Sequence, residues 1–93
     1  MSFPEDLLSV ARRVVWFKPP DEALRFHAEF LAHLMTYGDI EDLRIARRYF
    51  TDDDFRRVLD NPPPGIIDSR SWAYWNTVYG RLPVPDLPRR NLD

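Results

Sequence analysis

The side chains able to do chemistry near neutral pH are few in this chain: two histidines, His27 and His33, some hydroxyls, and no cysteine. His27 and His33 stand six positions apart, on different faces of any helix that holds both, so they cannot form the i,i+4 pair of helical metal sites. There is no His-x-x-x-His, no carboxylate pair at an obvious acid–base spacing, no glycine-rich phosphate loop and no G-x-S-x-G. Thr51, Ser69 and Ser71 stand where helices need caps and read as caps rather than nucleophiles. His27 falls within the apolar face of its helix, where a histidine is more often a core residue with one hydrogen bond than a base. Without cysteine, disulfides, cysteine zinc sites and thiol nucleophiles are excluded. The expectation is therefore a chain with no catalytic, cofactor-binding or metal-ligating residues, and not an enzyme.

Interaction chemistry is better represented. Of thirteen basic residues only Lys18 is a lysine, against fifteen acidic residues. Arginine forks onto carboxylates and stacks on rings as lysine does not, although a GC-rich coding sequence produces the same skew. Arg44, Arg47 and Arg48 fall within about 100° of one another on a helix, with Glu41 beside them. Three arginines followed by a second short helix suggest a helix-turn-helix. Phe50-Thr51, however, leaves no room for the usual turn of about three to four residues, Asp52, Asp53 and Asp54 would repel phosphate, and a pI of 5.6 is wrong for a general grip on nucleic acid. The arginines read as a solvated, partly salt-bridged face, with an acidic or protein partner as the alternative and DNA after that. Trp72, Tyr74, Trp75, Val78 and Tyr79 share an arc of about 160°, with Arg70 at the head of the same helix. This aromatic face either closes the core or forms a partner interface, since Trp, Tyr and Arg dominate binding hot spots; both can hold at once. Trp16, projecting between Arg12 and Arg13, either lies past the end of its helix or caps a contact surface.

The elements that position these residues follow from proline and apolar spacing. Ninety-three residues suit one domain, and prolines at positions 4, 19–20, 62–64, 83, 85 and 88 leave windows in which helices can run. Ser2-Phe3-Pro4-Glu5 reads as a capping box opening an amphipathic helix with Leu7, Val10, Ala11, Val14 and Val15 on one face. Asp21 to Tyr37 reads as a continuous central helix with an apolar arc of about 200°, including Phe26 and Tyr37, closed by Gly38. Asp39 caps a third helix, Ile40 to Phe50, with Asp42 at N3. Thr51 caps a fourth, Asp52 to Asp60, with Asp52–Arg56 and Asp53–Arg57 at i,i+4 spacing. Asp68 caps a fifth, about Ser69 to Tyr79, ended by Gly80. The prediction is an all-α fold, a small orthogonal domain of about five helices over residues 1–82, followed by an extended proline-rich arm, 83–93, lying on the body. Pro85-Asp86-Leu87-Pro88-Arg89-Arg90 formally fits P-x-x-P-x-R. No stretch approaches the roughly 18 apolar residues of a membrane span, and Glu5, Asp6 and Arg12-Arg13 spoil a signal peptide; the expected location is the cytoplasm, with no membrane contact.

Taken together, Met35-Thr36-Tyr37-Gly38-Asp39-Ile40-Glu41-Asp42, Arg47-Arg48-Tyr49-Phe50, Pro63-Pro64-Gly65-Ile66-Ile67-Asp68 and Arg70-Ser71-Trp72-Ala73-Tyr74-Trp75 resemble a family of small bacterial helical proteins often encoded beside nucleotidyltransferase-like toxins of the abortive-infection type. The resemblance spans roughly residues 14 to 85 and implies a non-enzymatic, antitoxin-like protein partner of such a toxin. A nucleic-acid-binding autoregulator, a small enzyme or ligand carrier centred on His27, and a homo-oligomeric structural domain are the alternatives.

Overall fold

A computed structural model describes residues 3–87 as six α-helices with no strand among them. They are α1 (Glu5–Val14), α2 (Pro20–Arg25), α3 (His27–Tyr37), α4 (Ile40–Ala46), α5 (Asp52–Asp60) and α6 (Ser69–Val78). The fold is all-α, as expected, with six helices where the spacing suggests five. Among the described residues no helix is long and apolar enough to cross a membrane.

The extra helix comes from a break at Phe26. Its backbone leaves the helical region at φ −112°, ψ 87°, so that it ends α2 and starts α3. Neither glycine nor proline marks the place, and nothing local in the sequence announces it. The packing accounts for it: α2 lies on α1, whereas α3 touches α1, α2, α5 and α6. One straight rod of seventeen residues would run about 25 Å and could not turn its apolar side toward both sets of neighbours. The 200° arc is thus two narrower arcs. Ala23 and Leu24 are buried on α2; Phe30, Leu31, Ala32, Leu34 and Met35 are buried on α3; Phe26 and Tyr37 are exposed.

Local signals hold elsewhere. In α1, Leu7, Val10, Ala11 and Val14 are buried at helical spacing. The helix starts at Glu5 with Pro4 as N-cap and no side-chain cap bond; Ser2, expected as the cap, lies outside the described residues. Asp39 and Asp42 close a full capping box on α4, and Thr51 and Asp54 close another on α5. Asp68 accepts from the Ser71 N–H at 2.7 Å to cap α6. That helix ends in a Schellman turn, with Arg81 N–H donating to Asn76 O at 2.8 Å and Gly80 N–H to Thr77 O at 3.0 Å. Gly80 takes φ +71°, which a side chain disfavours. Gly38 works differently: its backbone is extended, at φ −72° and ψ 149°, but an added Cβ would sit 2.7 Å from Leu34 O.

The third helix is shorter than expected. It stops at Ala46 rather than Phe50, because Arg48 and Tyr49 N–H groups bond three residues back, to Ile45 and Ala46 carbonyls, and tighten the last turn. That bend buries Phe50 and leaves Thr51 free to cap α5.

A buried carboxylate ties α4 to α1. Asp42, only 3% exposed, accepts from Arg13 Nε at 2.7 Å and from Arg13 Nη2 at the same oxygen, joining α4 to α1. Removing the arginine strands a buried carboxylate, which costs more than removing a surface pair. Arg13→Met is therefore expected to destabilise by about 2 kcal/mol, and Arg13→Met with Asp42→Leu to recover part of that loss, in urea unfolding. Gly38→Ala, through its clash with Leu34 O, is expected to cost about 1–3 kcal/mol, and Gly80→Ala about 1 kcal/mol. Unchanged midpoints would contradict these assignments.

Candidate functional site

The arginines of the third predicted helix are engaged inside the molecule. Arg44 pairs with Glu41 at 3.3 Å on the surface. Arg48 donates to Asp6 Oδ2 at 2.9 Å, and the Tyr49 hydroxyl donates to Asp6 Oδ1 at 2.6 Å, linking the α4–α5 bend to α1. Arg47 donates to Asp52 Oδ1 at 2.8 Å, and the Tyr79 hydroxyl donates to the same oxygen at 3.0 Å. The pairs expected at i,i+4 on α5 form instead at i,i+3, Arg56 with Asp53 and Arg57 with Asp54, while Asp52 pairs with Arg47.

Two arginines sit against a set of stacked rings. Arg47 lies over Phe55 at 5.3 Å, Phe55 stacks on Trp75 at 5.6 Å, Trp75 stacks on Tyr79 at 6.1 Å, and Arg56 lies over Tyr79 at 5.0 Å. Trp72 and Trp75 are buried, with indole N–H groups donating to Pro85 O at 2.7 Å and Met35 O at 2.9 Å. Of the two readings left open by spacing, core and interface, these two tryptophans belong to the core. The buried face of α6 is Trp72, Trp75 and Asn76, with Tyr79 half-buried, whereas Tyr74 and Val78 are exposed. Asn76, expected on the polar side, is fully buried; its Nδ2 donates to Trp72 O at 2.8 Å, and its Oδ1 meets no partner among the described residues. Tyr74 and Arg70 line a shallow groove of about 410 Å³ with Met35, Ile40 and Leu43.

A group of exposed aromatics gathers elsewhere. α1 ends at Val14, so Trp16 lies beyond the helix, in a group of exposed rings: Trp16, Phe17 and Tyr37 are 63%, 57% and 55% exposed. The rings touch one another around a closed circuit that includes His33. Centroids lie 5.6 Å apart for Trp16–Phe17, 5.4 Å for Phe17–His33, 6.3 Å for His33–Tyr37 and 5.4 Å for Trp16–Tyr37. The His33 Nδ1 sits 2.8 Å from Glu29 O, and since a carbonyl can only accept, that nitrogen carries a proton. Lys18 and Glu29, 3.8 Å apart, flank the patch. Sequence spacing singled out Trp16 and missed Phe17, His33 and Tyr37, because a continuous 21–37 helix put Tyr37 in the core. The signal was present in the adjacent Trp16-Phe17 past a helix end and in the i,i+4 spacing of His33 and Tyr37.

His27, expected in the core, is exposed because the break at Phe26 places it at the start of α3. Its ring meets Phe50 edge-on at 5.2 Å in a cleft of about 520 Å³ lined also by Leu31, Asp54, Arg57, Asp60 and Asn61. The charged groups there are engaged, Arg57 with Asp54 and Asp60 with Arg81, and His27 makes no side-chain hydrogen bond among the described residues. Among those residues, too, no group of three or more His, Asp or Glu side chains is gathered to hold a metal ion. Comparison of the chain with family models, curated proteins and solved structures gives no match, so no relative's activity transfers to it.

The surface network makes the stability of the fold depend on pH. The Tyr49 hydroxyl holds Asp6, and the Arg47 guanidinium holds Asp52, below the ordinary carboxylate value of 3.8. Backbone N–H groups of Asp42, Thr51 and Ser71 do the same for Asp39, Asp54 and Asp68. A carboxylate depressed in the folded state contributes stability that is complete above its unfolded value and lost as pH falls through its folded one. Tyr49, through Asp6, and Tyr79, through burial, are raised above 10.0, so their contribution is lost as pH climbs past that value. The urea midpoint is expected to be flat from about pH 6 to 8, to fall below about pH 4, and to fall again above about pH 10. Asp6→Asn with Asp52→Asn is expected to make the acid fall shallower, and an unaltered acid limb would count against the network.

Proposed function

We propose that this chain is a non-enzymatic protein-interaction module that docks a protein partner through Trp16, Phe17, His33 and Tyr37. One observation carries the reading: three large rings, each more than half exposed, are held in edge-to-face contact on one surface. Binding hot spots are built from such rigid aromatics, and rings already fixed by their neighbours lose little freedom on binding. The arginines support no competing nucleic-acid reading, since Arg44, Arg47 and Arg48 each face a carboxylate of the same chain.

The sequence resemblance suggests the partner to try first, a nucleotidyltransferase-like toxin from an adjacent gene, with an antitoxin-like action by occlusion. In calorimetric titration of such a toxin, Trp16→Ala and Tyr37→Ala are each expected to weaken binding by about 2 kcal/mol, roughly thirtyfold. Tyr74→Ala, on the separate groove, is expected to leave it unchanged. A chain that stays monomeric and indifferent to the adjacent gene product, or a complex insensitive to Trp16 and Tyr37, would remove the basis of the proposal.

A further inference from the structure

Every lysine and arginine among residues 3–87 pairs with a carboxylate of the same chain, except Arg70. Asp68, two positions before it, instead accepts from the Ser71 N–H at 2.7 Å. The place of Arg70 in its helix is also against local preference. α1 to α5 each carry acidic residues in the first turn, where the helix dipole is positive; α6 carries none and has Arg70 there. A charge that works against its own helix and finds no partner among the described residues marks a position set by something outside the fold. Arg70 stands on the groove of about 410 Å³ between α4 and α6, which opens there because α4 rests on α1 while α6 rests on α3 and α5. Met35, Leu43 and Trp75 line it from below, and Ile40 and Tyr74 stand open on it, 77% and 59% exposed.

We infer that this groove docks a segment of a protein partner in which an aspartate or glutamate stands beside aliphatic or aromatic side chains. The carboxylate forks onto the Arg70 guanidinium, and the apolar side chains cover Ile40 and Tyr74. Arginine and tyrosine around an apolar floor are the combination that binding hot spots favour. Charge complementarity selects a single carboxylate rather than a polyanion: Asp39 lines the same groove and would repel the successive phosphates of nucleic acid. The groove shares no residue with the Trp16 cluster, and it stands or falls independently of that cluster's role.

The test selects random displayed peptides on the full chain and measures the recovered peptides by fluorescence anisotropy. They are expected to carry Asp or Glu beside Leu, Ile or Phe, to bind Arg70→Glu about tenfold more weakly, and to bind Trp16→Ala unchanged. Arg70 makes no side-chain bond for the substitution to break, and a glutamate suits the first turn of a helix, so helical circular dichroism is expected to stay the same. Exchanging the peptide's acid for lysine is expected to restore binding to Arg70→Glu, a reversal of preference that a merely structural role for Arg70 would not produce. Ile40→Asp is expected to weaken the original peptides to a similar extent. No recovered peptide, or equal binding to Arg70→Glu and the unsubstituted chain, overturns the inference. Peptides that respond to Trp16→Ala and not to Arg70→Glu belong to the aromatic cluster and overturn it as well. A dimer seen by light scattering and abolished by Arg70→Glu would assign the groove to a second copy and overturn the partner assignment.

Discussion

Trp75 is the side chain on which the fold depends. Its ring stacks on Phe55 of α5 and on Tyr79 at the end of α6, and its indole N–H reaches the Met35 carbonyl in the last turn of α3. The last carbonyls of a helix lack partners within it, and a buried one is costly to leave unmatched. One residue thus stacks two helices and terminates a third. In a chain with no cysteine to staple it, this joint takes the place of a covalent link, and Arg47 and Arg56, over Phe55 and Tyr79, extend it to the surface.

The break at Phe26 is the complementary constraint. By dividing one long apolar helix into α2 and α3, it lets α1 rest on the first piece while α5 and α6 close over the second. The same break moves His27 out of the core and leaves Phe26 and Tyr37 exposed. Tyr37 then meets Trp16, which lies past the end of α1. The exposed cluster is therefore a product of how two helices terminate, and its rings are held by one another rather than by a pocket.

Charge is used inside the molecule before it is available to a partner. Arg13, Arg47, Arg48, Arg57 and Arg81 each bond a carboxylate on the same chain, several of them bridging different helices. The exposed Trp16 cluster, by contrast, is aromatic.

Fold class and most helix ends were legible in the chain before any packing was known. Asp39, Thr51 and Asp68 cap the residues three positions ahead, and Gly80 ends α6, because those interactions close within one turn and need no other part of the chain. The apolar stripe of α1 was legible for the same reason. Packing between helices settled where the central helix divides, that Asn76 rather than Tyr74 faces inward, that Arg13 finds Asp42, and that Trp16, Phe17, His33 and Tyr37 meet. Each of these depends on which surfaces the neighbouring helices have area and shape to cover. Hydropathy marks more apolar side chains than six short helices can bury, and the packing chooses among them.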